Sequence, residues 1–139
     1  MNEIVINKVQ SIQRCVERAR EEYSKNPDGF NTDYTVQDAA VLNILRACDL
    51  AIDLANHLIR QNKMGIPTSS AESFDLLERK DIIDGKIADK LKKMVGFRNT
   101  VVHEYRKLNI EIVKSVITAD LDDLILFTDM VMGYADGNP

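Results

Sequence analysis

Apolar residues step by four and three along Val5, Val9, Ile12, Val16 and Ala19, which predicts an amphipathic helix ending near Lys25. Asn26-Pro27-Asp28-Gly29 follows as a turn. Thr35-Val36-Gln37-Asp38 has the form of a capping box with Asp in place of Glu, and it is expected to open a long helix to about Asn62. That helix is apolar on most sides, through Val41, Leu42, Ile44, Leu45, Ala47, Ala51, Ile52, Leu54, Ala55, Leu58 and Ile59. A helix so widely apolar belongs at the centre of a fold or in an interface between copies. Met64-Gly65-Ile66-Pro67 ends it.

Ser69 or Ser70 then caps a short helix through Phe74, Leu76 and Leu77. Asp84 is placed to cap the next, whose apolar set is Ile87, Leu91, Met94, Val95, Val101 and Val102 and which is expected to reach Tyr105. After Arg106-Lys107-Leu108, Asn109 is a good N-cap for a last helix through Ile110, Val113, Val116, Ile117, Leu121, Leu124, Phe127 and Val131, stopping before Asp136. Strand-like alternation, repeats and low-complexity tracts do not appear. The expectation is an all-α chain: one domain over 1–139, an antiparallel bundle of four main helices plus one short helix, with a flexible tail from about 135 to 139.

Composition agrees with one globular domain: 139 residues, 45% hydrophobic and 29% charged. No apolar run approaches the roughly 20 residues that span a bilayer, and Met1-Asn2-Glu3 does not open a signal peptide. Cys15 and Cys48 both occupy apolar helical positions and are expected to be buried free thiols. These features point to the cytoplasm, with no membrane partner.

The net charge of −4 gives no general attraction to nucleic acid. Its distribution changes the picture. Between Arg79 and Lys107 nine basic residues meet four acidic ones, a net +5 that leaves −9 for the rest of the chain. Lys90, Lys92 and Lys93 read either as a solvated helix face or as part of a local phosphate-attracting patch.

Candidate chemistry is sparse. There is no Gly-rich phosphate loop and no Cys-x-x-Cys pair. With only His57 and His103, a zinc site within one subunit is not expected, and no metal or other cofactor is called for. His57 stands among Leu54, Ala55, Leu58 and Ile59 and reads as structural. What remains is His103 with Arg98 and Tyr105. At about 100° per residue, Arg98 and His103 lie roughly 140° apart on a straight helix, while Arg98 and Tyr105 fall within about 20°. Arg98 and His103 can meet on one phosphate if Arg98 reaches round, if the helix frays, or if another subunit contributes. Asn99 and His103 are neighbours at i,i+4. Asp49 and Asp53 read as surface residues or as supports that hold Arg98 or Arg46.

Leu91-Lys92-Lys93-Met94-Val95-Gly96-Phe97 followed by Arg98-Asn99-Thr100-Val101-Val102-His103-Glu104-Tyr105 resembles the signature of the HEPN superfamily. More narrowly it resembles the R-x4-H-x-Y motif of HepT-type toxins, and the likeness extends through Asp53-Leu54-Ala55-Asn56-His57, Gly65-Ile66-Pro67 and Ser73-Phe74 to Leu77. The resemblance implies a metal-independent ribonuclease toxin that works as a homodimer. It implies an MNT-type nucleotidyltransferase antitoxin that silences the toxin by transferring AMP from ATP onto the motif tyrosine, here Tyr105. The alternative it allows is a non-catalytic HEPN module that binds nucleotide, RNA or a nucleotidyltransferase.

The residues suit that chemistry. Metal-free RNA cleavage needs a base for the 2′-hydroxyl, an acid for the leaving 5′-oxygen and cations for the phosphorane charge. Histidine serves both proton roles near neutrality, and arginine offers bidentate donors to phosphate. One chain supplies one His103, so a two-fold dimer that joins both copies in one cleft is the expected arrangement. Asn99 and Asp53 are the expected supporting residues. Tyr105 can also hydrogen-bond RNA or stack on a base, and Lys92, Lys93 and Arg106 are the expected RNA contacts.

Overall fold

The structure, a computed structural model, describes residues 3–137. Its elements are α1 (Glu3–Lys25), α2 (Tyr34–Gln61), α3 (Ser70–Arg79), α4 (Gly85–His103), a 3-10 turn (Tyr105–Lys107), α5 (Ile110–Ser115), a π-helical turn (Val116–Asp120) and α6 (Leu121–Gly137). No strand occurs among the described residues. The fold is the expected helical bundle, with α1, α2, α4 and the α5–α6 run as its long members and α3 as the short one.

α1 buries the residues its period picked out, Val5, Val9, Ile12, Val16 and Ala19, and its main partner is α2. α2 touches α1, α3, α4 and α6, which accounts for its wide apolar surface. Phe74 of α3 and Phe127 of α6 meet edge to face at 5.7 Å in the core, and both are fully buried. Truncating either to alanine would cost about 3–5 kcal/mol. No helix among the described residues is long and apolar enough to cross a membrane.

Local chemistry sets the helix ends. Ser69 caps α3 by accepting from the Glu72 amide at 3.1 Å, and Asp84 caps α4 by accepting from Ile87 at 2.8 Å. Lys63 and Asp81 take left-handed backbone just past α2 and α3, and the amides of Met64 and Ile82 bond back to Ile59 and Leu77. These are Schellman-type endings, which satisfy the last carbonyls.

The structure corrects four expectations. α2 is capped by Asp33, whose carboxylate accepts from the Val36 amide at 3.1 Å, so Thr35 and Asp38 already lie inside the helix and form no capping box. α4 stops at His103 rather than Tyr105, because Glu104 leaves helical geometry at φ −141°, ψ 45°. α6 continues to Gly137, past the expected stop before Asp136, and Asn138 and Pro139 of the expected tail lie outside the described residues. Cys48 is buried, but Cys15 is only partly covered at the side of α1; both are free thiols.

α5 runs into α6 without a break, since Ser115, Val116 and Leu121 all keep right-handed helical backbone. Between them the Leu121 amide bonds to the Val116 carbonyl five residues back. That is the wider π turn.

Candidate active site

The motif sits where α4 ends. Thr100-Val101-Val102 puts a β-branched run in the last turn, which weakens helix propagation there. The Glu104 amide still bonds to the Thr100 carbonyl, and the chain then tightens into the 3-10 turn, closed by Lys107 to Glu104 at 2.8 Å and Leu108 to Tyr105 at 3.0 Å. Because the helix breaks at Glu104, the 20° relation between Arg98 and Tyr105 on one straight helix does not hold. Both side chains nevertheless turn towards α2.

Arg98 donates from Nε to Asp49 Oδ1 at 2.8 Å and from its NH1 nitrogen to Asn99 Oδ1 at 3.2 Å. Its side chain is 31% exposed, so the guanidinium stands at the surface with its stem covered. A guanidinium has five N–H donors, so these two contacts leave others for an anion. The acid that fixes Arg98 is Asp49; Asp53, one turn on, is exposed. Asn99 touches Arg98 rather than His103. Beneath the pair lies Cys48, whose thiol is pushed up to about 12, first by burial and then by Asp49, against a lowering pull from Arg98. It stays protonated and is no nucleophile.

Tyr105 is 45% exposed, and its hydroxyl donates to Asp38 Oδ1 in the first turns of α2. Its phenol is pushed up to about 12 by partial burial first, then by the hydrogen bond to Asp38 and by that carboxylate's charge. The two residues line an open cleft of about 390 Å³ with Tyr34, Val41, Arg106 and Leu108. That volume falls within the roughly 300–1,000 Å³ of small-molecule sites.

His103 is the last residue of α4 and is exposed. Along the helix its position lies roughly 140° around from that of Arg98. Lys92 bonds to Asp75 at 2.8 Å and stands 3.5 Å from Asp89, so it ties α4 to α3. Lys93 lines a second cleft of about 340 Å³ between α4 and the π turn, where Lys90 faces Asp120 and Asp123. Acidic residues of α3 and α6 thus meet much of the basic run. Arg106 remains exposed beside Tyr105. His57 lies elsewhere on α2; burial, then Arg60 and Lys8, hold its imidazole below the ordinary value.

Asp38 is the residue that sequence reasoning missed. The signal was present: Asp38 and Asp49 are eleven apart, which places them within about 20° on α2. Asn56, seven further on, lies on the same stripe and accepts from Ser73 Oγ of α3 at 2.6 Å. One stripe of α2 therefore holds Tyr105, Arg98 and α3 in turn.

An all-helical bundle carrying Arg-x4-His-x-Tyr at the end of its fourth helix has the fold and motif of a HEPN ribonuclease. The model of the family described as ribonuclease HepT-like matches residues 12–131, and the chain belongs to that family. It is similar to the mRNA nuclease HepT of Shewanella oneidensis, at 44% identity over 131 residues, 94% of this chain and 98% of that protein. A solved structure of tri-AMPylated Shewanella oneidensis HEPN toxin in complex with MNT antitoxin superposes with a TM-score of 0.90 at 44% identity, covering 96% of this chain and 99% of that one. A cytosolic protein of unknown function from Bacillus subtilis, at 20% identity with a TM-score of 0.79 over 94% of this chain and 90% of its own, shares the fold.

Proposed function

We propose that the chain is the toxin ribonuclease of a toxin–antitoxin pair, that it cleaves RNA without a metal through Arg98 and His103, and that transfer of AMP to Tyr105 by an MNT-type nucleotidyltransferase silences it. The observation that carries this reading is the paired anchoring of the motif. Asp49 fixes Arg98 at the surface, and Asp38 engages the Tyr105 hydroxyl at the mouth of an open cleft. The similarity to a nuclease and to an AMPylated toxin bound to its antitoxin supports the same reading.

The site works as a homodimer. His103 and Arg98 of one chain diverge, so a two-fold partner supplies the second histidine and completes the cleft. The exposed apolar residues Leu42 of α2 and Val102 of α4 suit the dimer contact, because Leu42 lies on the stripe between Asp38 and Asp49. One His103 removes the 2′-hydroxyl proton, the other protonates the leaving 5′-oxygen, and Arg98 stabilises the phosphorane charge. Asn99 braces Arg98, and Arg106 and Lys93 attract the RNA backbone. AMP on Tyr105 adds negative charge and bulk beside that path and repels RNA.

RNA cleavage by folded Arg98→Ala and His103→Ala variants tests the catalytic assignment; undiminished cleavage in either refutes it. Mixed dimers of wild-type and His103→Ala chains test the shared cleft, and full activity in them refutes it. Intact mass after incubation with the nucleotidyltransferase and ATP tests the control. A gain in multiples of AMP that vanishes in Tyr105→Phe is expected.

A further inference from the structure

We propose that Asp38 accepts the Tyr105 proton when AMP is transferred to that hydroxyl. The inference rests on the reading of Tyr105 as the AMP acceptor and names the group on this chain that makes the oxygen reactive. In the transfer, Tyr105 Oη attacks the α-phosphorus of ATP held by the nucleotidyltransferase. The Oη–phosphorus bond forms, and the bond from that phosphorus to the oxygen bridging to the β-phosphate breaks. Pyrophosphate leaves with the electron pair. The phenolic proton passes to the Asp38 carboxylate, and nothing is oxidised or reduced.

The geometry carries the assignment. The phenol is the donor and the carboxylate the acceptor, so the proton already points at Asp38. Asp38 sits on the rigid early turns of α2, so its carboxylate is set by the helix, whereas Tyr105 stands on a single 3-10 turn. Asp38 is the one acid among the residues lining the cleft at Tyr105, and Glu104, the neighbour of Tyr105 in sequence, stands 3.9 Å from Lys107. The hydroxyl opens on the cleft that also holds Arg106, a cation for an arriving phosphate. A phenol held near 12 supplies almost no phenolate at neutral pH, so attack requires a base already in contact. The transferred proton also neutralises Asp38 as the phosphate arrives, which removes a like-charge clash.

Asp38→Asn keeps an oxygen for the phenolic hydrogen bond but cannot take the proton. With the full chain, its nucleotidyltransferase partner and ATP, mass spectrometry should show AMP addition to this variant slowed about a hundredfold or more. The remaining rate should climb about tenfold per pH unit above neutrality, as solvent hydroxide replaces the missing base, a climb the wild type lacks. Asp38→Glu should restore part of the rate. Circular dichroism and co-purification with the partner establish that the variants fold and dock. Wild-type rates in Asp38→Asn overturn the proposal. So does a slowed variant with the wild-type pH profile and no rescue by Asp38→Glu, which would make the contact merely structural. AMP addition that persists in Tyr105→Phe overturns instead the acceptor reading beneath it.

Discussion

Two contacts join the end of α4 and its following turn to one stripe of α2, and they hold their residues differently. Arg98 is gripped along its stem, with Nε on Asp49, and its outer edge stays open. Tyr105 is gripped at its tip, where the reactive oxygen itself is bonded to Asp38. On the proposed reading, the residue that binds the phosphate is steadied from behind. On that reading, the residue that receives AMP is held at the atom that changes. The first grip would then persist during catalysis, whereas the second would be broken by AMP transfer, because an esterified oxygen can no longer donate.

The widest separation between the two ends should come from removing the reactive groups. His103→Ala and Arg98→Ala are each expected to lower RNA cleavage by about 10²–10⁴-fold, with AMP addition to Tyr105 retained. Cleavage assays beside mass spectrometry measure both, and parallel loss of both activities would merge the two ends into one. Asp49→Ala should act through Arg98 and cost about ten- to a hundredfold in cleavage, less than loss of the arginine itself. An equal loss would make Asp49 more than a support.

Next in size is a titration. Tyr105 is held up in the folded state, so its contribution to stability is complete below the ordinary tyrosine value of about 10 and is lost as pH rises towards 12. Phenolate absorbance should show one tyrosine titrating near 12 in the wild type and lower, though still above the ordinary value, in Asp38→Asn, where burial remains. The smallest effect separates the cations. Arg106→Ala should weaken RNA binding a few-fold and lower the salt slope by about one, whereas Lys92→Ala, already paired with Asp75, should leave the slope unchanged.

Much of the fold was legible because it is periodic. The apolar steps located every long helix, and Asp84 and Asn109 were readable as caps because short acceptor side chains do that at fixed offsets. The end of α4 was not legible. Val101 and Val102 continue the apolar period, and only the backbone at Glu104 shows the break. Within the site, Arg98, His103 and Tyr105 were readable as a motif, and Asp49 as a possible support. Asp38 was hidden because its role depends on a contact across 67 residues of chain, and local sequence gave it a capping reading instead. The partner of Lys92 was hidden for the same reason: Asp75 belongs to another helix.

The π turn at Val116–Asp120 has a consequence of another kind. Val113, Ile117 and Leu121 are all buried, and successive steps of four would drift around a regular α-helix by about 40° each. The wider turn absorbs that drift, so it amounts to one surplus residue accommodated inside the helix. Deleting one residue from 116–120 would restore regular winding and leave Val113 seven residues before Leu121, within about 20° of it. Val113 would stay on the buried face, whereas a second deletion would turn everything upstream by about 100° relative to α6 and move Val113 out of the core. The surplus residue is thus a spacer in phase with its flanks: this helix should tolerate the loss of one residue here far better than the loss of two.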